Sequence, residues 1–151
     1  MREFATLDEM RALVGQEVAV SEWVQITQRR IGLFADATDD HQWIHTDPER
    51  CARESPFDVP VAHGFLTLSL VSSLFEKSVG MADAKMVVNY GMNKVRFPSP
   101  VPVGSRVRAR MTLLKITDLS DCAQVEWSVV VERDGGDKPV CVAELLLRRY
   151  P

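Results

Sequence analysis

The chain has 151 residues, 46% of them hydrophobic and 26% charged, with a formal charge of −3. That size and balance fit a single globular domain over residues 1–151 that can bury a core without staples. Mild acidity and scattered basic residues argue against nucleic acid or an anionic membrane as partner, and no run approaches the ~18 apolar residues of a membrane span.

The opening Met1-Arg-Glu-Phe-Ala-Thr6 lacks the apolar run of a signal peptide. Cys51, Cys122 and Cys141 are odd in number and have no metal-like spacing. Cys122 and Cys141 sit in apparent strands and read as small buried hydrophobes, and the odd count suggests a reducing compartment, so the expected location is the cytoplasm.

Thr6-Leu7-Asp8-Glu9 predicts a capping box opening a first helix, with Glu9 reaching back to the N–H of Thr6 and Gly15 as the stop. Residues 17–24 alternate through Val18, Val20 and Trp23, a short strand. Thr27 caps a second helix whose Ile31, Phe34, Ala35 and Thr38 share one face. Asp47-Pro48 starts a short helix through Glu54, and residues 55–60 form a loop. Residues 62–79 are apolar on nearly every face and predict a long helix buried all round, ended by Gly80. Residues 86–97, 106–118, 123–133 and 140–149 are rich in Val, Ile, Leu and Thr and read as four strands, with a hairpin signal at Asp134-Gly-Gly-Asp137. Helices followed by consecutive antiparallel strands make an α+β pattern, and a curled sheet wrapped around the long helix satisfies it.

The chemistry concentrates in Asp39-Asp40-His41-Gln42-Trp43-Ile44-His45-Thr46-Asp47, three carboxylates and two of three histidines interleaved with Trp43 and Ile44. At about 100° per residue, Asp40 and His45 would stand roughly 140° apart on one helix, so acting together requires a turn between them. The Asp-rich run and Asp47-Pro48 supply one, giving helix, turn, short helix. His41 is expected to be exposed, and Trp43 to belong to the core. The spacing of Asp40, His41, His45 and Asp47 matches no familiar metal motif, and no metal is expected.

Phe34-Ala-Asp-Ala-Thr-Asp-Asp-His-Gln-Trp-Ile-His-Thr-Asp-Pro-Glu-Arg50 resembles the hydratase motif of the MaoC-like, (R)-specific enoyl-CoA hydratase family. The Gln-Trp between the pair resembles the nodulation-protein-N-like branch. Val61-Ala-His-Gly-Phe-Leu66 resembles the start of that family's central helix. Asn89 to Pro98, with Pro102 to Arg106, resembles the following strand and loop. The resemblance implies a hot-dog fold and a homodimer joined edge to edge. It implies hydration of a trans-2-enoyl-CoA to an (R)-3-hydroxyacyl-CoA, or the reverse. No cofactor is implied beyond the coenzyme A of the substrate.

The family's catalytic pair falls on Asp40 and His45. Its central-helix glycine, whose N–H binds the thioester oxygen, falls on Gly64. The family usually has Gly where this chain has Asp39; Asp tolerates a left-handed backbone better than most residues and is expected to point to solvent.

The residue types suit the reaction. A carboxylate and an imidazole can grip and activate one water, and N–H groups at a helix start can hold the negative charge that builds on a thioester oxygen. Gln42 is expected to hydrogen-bond near the site. His63, at a helix start, is read first as structural and otherwise as a substrate contact. Arg96, Arg106 and Arg108 are candidate contacts for the phosphates of coenzyme A. Two other functions fit the fold: a thioesterase acting on the same class of substrate, and a non-catalytic acyl-CoA-binding module.

Overall fold

The computed structural model describes residues 1–151. In chain order the elements are β1 (Arg2–Phe4), α1 (Leu7–Arg11), β2 (Glu17–Val20), β3 (Val24–Gln25), α2 (Gln28–Thr38), α3 (Trp43–Thr46), α4 (Pro48–Glu54), α5 (Gly64–Glu76), β4 (Val79–Met81), β5 (Met86–Arg96), β6 (Arg106–Asp118), β7 (Ala123–Arg133) and β8 (Cys141–Tyr150).

The large sheet runs β2-β6-β7-β8-β5, all antiparallel, with β3 also paired to β6. Alternation sets its inner face. Val107, Ala109, Met111 and Leu113 of β6, Val125, Trp127, Val129 and Val131 of β7, and Leu145 and Leu147 of β8 are buried together. Against them lie Leu66, Val71, Leu74 and Phe75 of α5, with the Phe75 ring edge-on to Trp127 at 5.0 Å. The α+β architecture, a sheet around a central helix, is the one expected.

Two expectations change. Helix α5 is shorter than residues 62–79, because residues 61 and 62 are fixed in extended form by Val61–Pro102 pairing and an Ala62 N–H to Val101 O bond of 2.8 Å. At the other end Val79–Met81 leaves the helix to pair in parallel with β1, so Gly80 lies in a strand. Nor is α5 covered all round: Phe65, Ser69, Ser72 and Glu76, one stripe at helical spacing, remain exposed.

In the first helix the box is shifted by one residue. Thr6 accepts from the Glu9 N–H, but the Glu9 carboxylate takes the N–H of Ala5 at 2.8 Å instead of that of Thr6. Thr38, expected on the buried face of α2, is exposed and returns its hydroxyl to the Phe34 carbonyl at 2.7 Å. All three cysteines are buried and unpaired, Cys122 and Cys141 as expected and Cys51 with them. No helix is long and apolar enough to cross a membrane.

Candidate active site

The turn that the Asp40–His45 spacing demands is present. Helix α2, capped by Thr27, runs to Thr38 and ends on Asp39, whose backbone is left-handed at φ 57°, ψ 18°. Asp39 thus occupies the conformation glycine adopts freely, at the modest cost that Asp bears best, and its side chain is exposed. The chain re-enters a helix at Trp43, and the His45 N–H closes on the Gln42 carbonyl at 2.9 Å. A carboxylate oxygen of Asp40 and ring nitrogens of His45 and His63 all lie within 4.8 Å of one another.

His45 is held from three sides. The side chain of Gln28 donates to its carbonyl at 2.8 Å. Its Nδ1 bonds the Val61 carbonyl at 2.6 Å, and its ring stacks on His63 with centroids 3.8 Å apart and a 26° tilt. A carbonyl only accepts, so Nδ1 carries the proton and Nε2 keeps its lone pair. Val61 is itself fixed by donating its N–H to the Ile44 carbonyl at 3.0 Å. Burial pushes the His45 pKa below its ordinary 6.5. The Val61 carbonyl and Asp40 act upward and His63 downward, but burial is the largest influence. The imidazole is therefore a neutral base at pH 7.

His63 is buried, and its Nε2 donates to the backbone carbonyl of Asp40 at 2.9 Å. Its Nδ1 is buried without a partner. Asp40, His45 and His63 could in principle hold a cation. The two free ring nitrogens, His45 Nε2 and His63 Nδ1, are also the groups that could accept a proton there.

His63 is also the N-cap of α5, yet its side chain caps nothing. The N–H groups of Gly64, Phe65 and Leu66 have no acceptor within the chain; Thr67 is the first to bond back, to the His63 carbonyl at 3.2 Å. A helix N-terminus with open donors favours an anion or a developing oxyanion. A Cβ on Gly64 would stand 3.0 Å from the ring of Phe97, so Gly64 admits that ring against the helix start. Phe97 meets Phe65 edge-on at 6.3 Å, and both are exposed.

The other candidates divide. Gln42 is exposed and contributes through its backbone, donating its N–H to Asp40 Oδ1 at 3.4 Å and accepting from His45. His41 is exposed and paired to Asp36 at 2.9 Å, away from the cluster, which raises its pKa. Trp43 is half-buried under the Arg50 guanidinium, 4.4 Å from the ring centroid. Arg106 is paired with Asp134 and Arg108 with Glu132, and both guanidinium groups lie over Trp23. Arg96, next to Phe97, is exposed with no carboxylate partner and bonds only the Val95 carbonyl. Gln28, the Val61 carbonyl and Phe97 escaped sequence reasoning; a glutamine after a helix cap, a backbone carbonyl and a ring after a strand carry no signature of a site. A cavity of about 500 Å³ opens at the far end of α5, lined by Ser72, Phe75, Val79, Met86, Leu145 and Leu147 among others.

An antiparallel sheet wrapped around a central helix is the hot-dog architecture. Comparison with known proteins gives the family. The MaoC-like domain matches residues 9–134. The chain is 50% identical over 149 residues to 3-hydroxyacyl-thioester dehydratase Z of Mycobacterium tuberculosis, covering 98% of each. It is 44% identical over 146 residues to Nodulation protein N of Rhizobium meliloti, covering 91% of this chain and 87% of that one. Among solved structures, a MaoC-like dehydratase from Rhodospirillum rubrum superposes with a TM-score of 0.76 at 25% identity, covering 98% and 99% of the two chains. The (R)-hydratase from A. caviae superposes with a TM-score of 0.73 at 24% identity, covering 91% and 96%. The chain belongs to the MaoC-like dehydratase family and is a hydro-lyase.

Proposed function

We propose that the protein interconverts a trans-2-enoyl thioester of coenzyme A and the (R)-3-hydroxyacyl thioester. The observation that carries this reading is the neutral His45, its Nε2 lone pair unengaged, beside Asp40 and one residue cluster away from the open N–H groups of α5. In hydration, one water sits between Asp40 and His45. Its oxygen bonds C3 while His45 Nε2 takes its proton. The electron pair of the C2=C3 bond moves toward the thioester, and the negative charge on that oxygen is received at the Gly64 N–H. C2 gains a proton through Asp40, and exchange between the two side chains restores both. Dehydration runs the same steps backward. Acid–base assistance of this kind contributes roughly 10²–10⁴ in rate.

The acyl chain has a place to go. Ser72 lies about 12 Å along the helix axis from Gly64, and there the apolar cavity begins. Of the three arginines, Arg96 is the one free of carboxylates and adjacent to the site's aromatic mouth, so it suits a phosphate of coenzyme A best. The exposed edge of β5 supports a homodimer. That strand is the sheet's edge, and Met86, Val87, Val88 and Tyr90 are each more than a third exposed along it. A long apolar edge invites pairing, and a second copy covers it.

The test is a hydration assay with short- and medium-chain trans-2-enoyl-CoA, following loss of the conjugated thioester absorbance. Asp40→Asn and His45→Gln should each lose about 10²-fold or more in kcat while remaining folded, and the product should be (R). Release of free thiol would instead establish the thioesterase. No turnover on any chain length would sink the hydratase reading for these substrates.

A further inference from the structure

We infer that His63 is a positioning residue with two linked tasks: its ring sets Asp40 and His45 relative to each other, and by turning toward them it leaves the first-turn N–H groups of α5 open. The inference rests on the hydratase reading and adds to it a reason that the space in front of the α5 N-terminus stays unfilled.

The N-cap position is where a helix normally closes its own orphan donors. Thr6, Thr27 and Asp47 each accept from the N–H three residues on, in α1, α2 and α4. His63 has the extended backbone the position requires, φ −57°, ψ 140°. Its Nδ1 stands as many bonds from Cα as the Asp47 Oδ1 that caps α4, and it carries a lone pair because Nε2 holds the proton. Reach and chemistry are both available, and the cap is not made. Direction is what differs. The ring is pressed between His45, at 3.8 Å, and Phe34, at 5.0 Å, and its Nε2 is tied to the Asp40 carbonyl.

The result leaves a buried Nδ1 and three backbone donors unmatched at one point. Each buried unmatched group destabilises the fold. A residue chosen only for stability here would be Ser, Thr, Asp or Asn. Function at the expense of stability is the usual signature of a reacting centre.

The experiment compares His63→Ala with His63→Ser. Both lose the bond to Asp40 and the stack on His45, and they differ by one hydroxyl able to cap α5. The Ser variant is expected to melt higher than the Ala variant yet to have a kcat at least about tenfold lower, because its hydroxyl, bonded to the Phe65 or Leu66 N–H, stands in the space before the Gly64 N–H that the thioester oxygen would take. The gap should appear in kcat and not in KM. A residue that matters only for packing or folding gives the opposite order, with Ser at least as active as Ala, and that result overturns the inference.

Should neither small variant fold, His63→Asn decides. A folded Asn variant with depressed kcat and unchanged KM supports the inference, and one with wild-type kcat overturns it. Failure of the hydratase reading is separate: the wild type would then show no turnover. The order of the two melting temperatures would still report whether the N-terminus of α5 was uncapped.

Discussion

Helices α2 and α5 both touch the site, and they begin differently. At α2, Thr27 accepts from the Arg30 N–H, so the third donor of the first turn is capped and only those of Gln28 and Arg29 lack an acceptor in the chain. At α5 a residue able to cap is turned aside, and three donors stay open. Both helices deliver a component of the site: α2 ends at Asp39 and Asp40, and α5 starts at Gly64. The difference teaches which end of each helix works. The capped end of α2 anchors, through Thr27 and through Gln28 on the His45 carbonyl. In the proposed reaction the open end of α5 receives the thioester oxygen.

The strongest way to break that contrast is at Gly64. Gly64→Ala places a methyl group against the Phe97 ring and beside the open donors, and kcat should fall by about 10²-fold, as loss of one oxyanion donor does. Phe97 is exposed and can yield, so Gly64→Ala with Phe97→Ala should recover part of the loss. A double-mutant cycle on kcat with no coupling would place the effect elsewhere.

Acid sharpens the contrast next. Burial holds the His45 pKa under 6.5, with Asp40 and His63 the titratable groups facing it. The acid limb of the kcat/KM profile should therefore lie below pH 6.5. Stability follows the same sign. The unfolded chain takes up a proton near pH 6.5 that the folded chain resists, so the His45 contribution is complete above that pH and is lost as pH falls toward the folded pKa. An acid limb above 6.5 would contradict the buried neutral imidazole.

At the capped helix the expectation reverses. Thr27→Ala should cost about 1 kcal/mol in denaturant unfolding and leave kcat near the wild-type value. A large kcat loss without a stability change would erase the distinction between the two helix starts. The smallest effect is expected at the other end of α2. Asp39→Gly relieves a left-handed backbone but frees the unfolded chain, and these offset to within about 0.5 kcal/mol. Activity should be retained, because the Asp39 side chain faces solvent.

The four long strands were legible from their Val-, Ile-, Leu- and Thr-rich runs, bounded by Pro, Gly and Asp turn signals. Their observed bounds fall within one residue of the expected ones. The turn between Asp40 and His45 was legible because five residues cannot return to one helical face without it. The three-residue strands β1 and β4 were not, since a parallel pairing of residues 77 apart in the chain leaves no local pattern. The pairing of Arg108 with Glu132 lay out of reach: counting back along both strands from the turn at residues 119–122 sets Arg108 opposite Arg133, and only the bulge between Leu113 and Lys115 shifts the register by one. The orientation of His63 lay outside reach. The sequence shows a histidine before a glycine, and only the packing of Phe34 and His45 on its ring decides which way it turns.

The three buried cysteines have a practical consequence. Burial pushes the Cys141 thiol up to about 11 and raises that of Cys51, and Cys122 is enclosed as well. A disulfide reagent added to the native protein meets thiols that are all shut away from solvent, two of them also held toward the protonated form. Its colour therefore reports coenzyme A liberated from a thioester and little else, so hydrolysis and hydration can be scored in the same cuvette, one by sulfur and the other by the double bond.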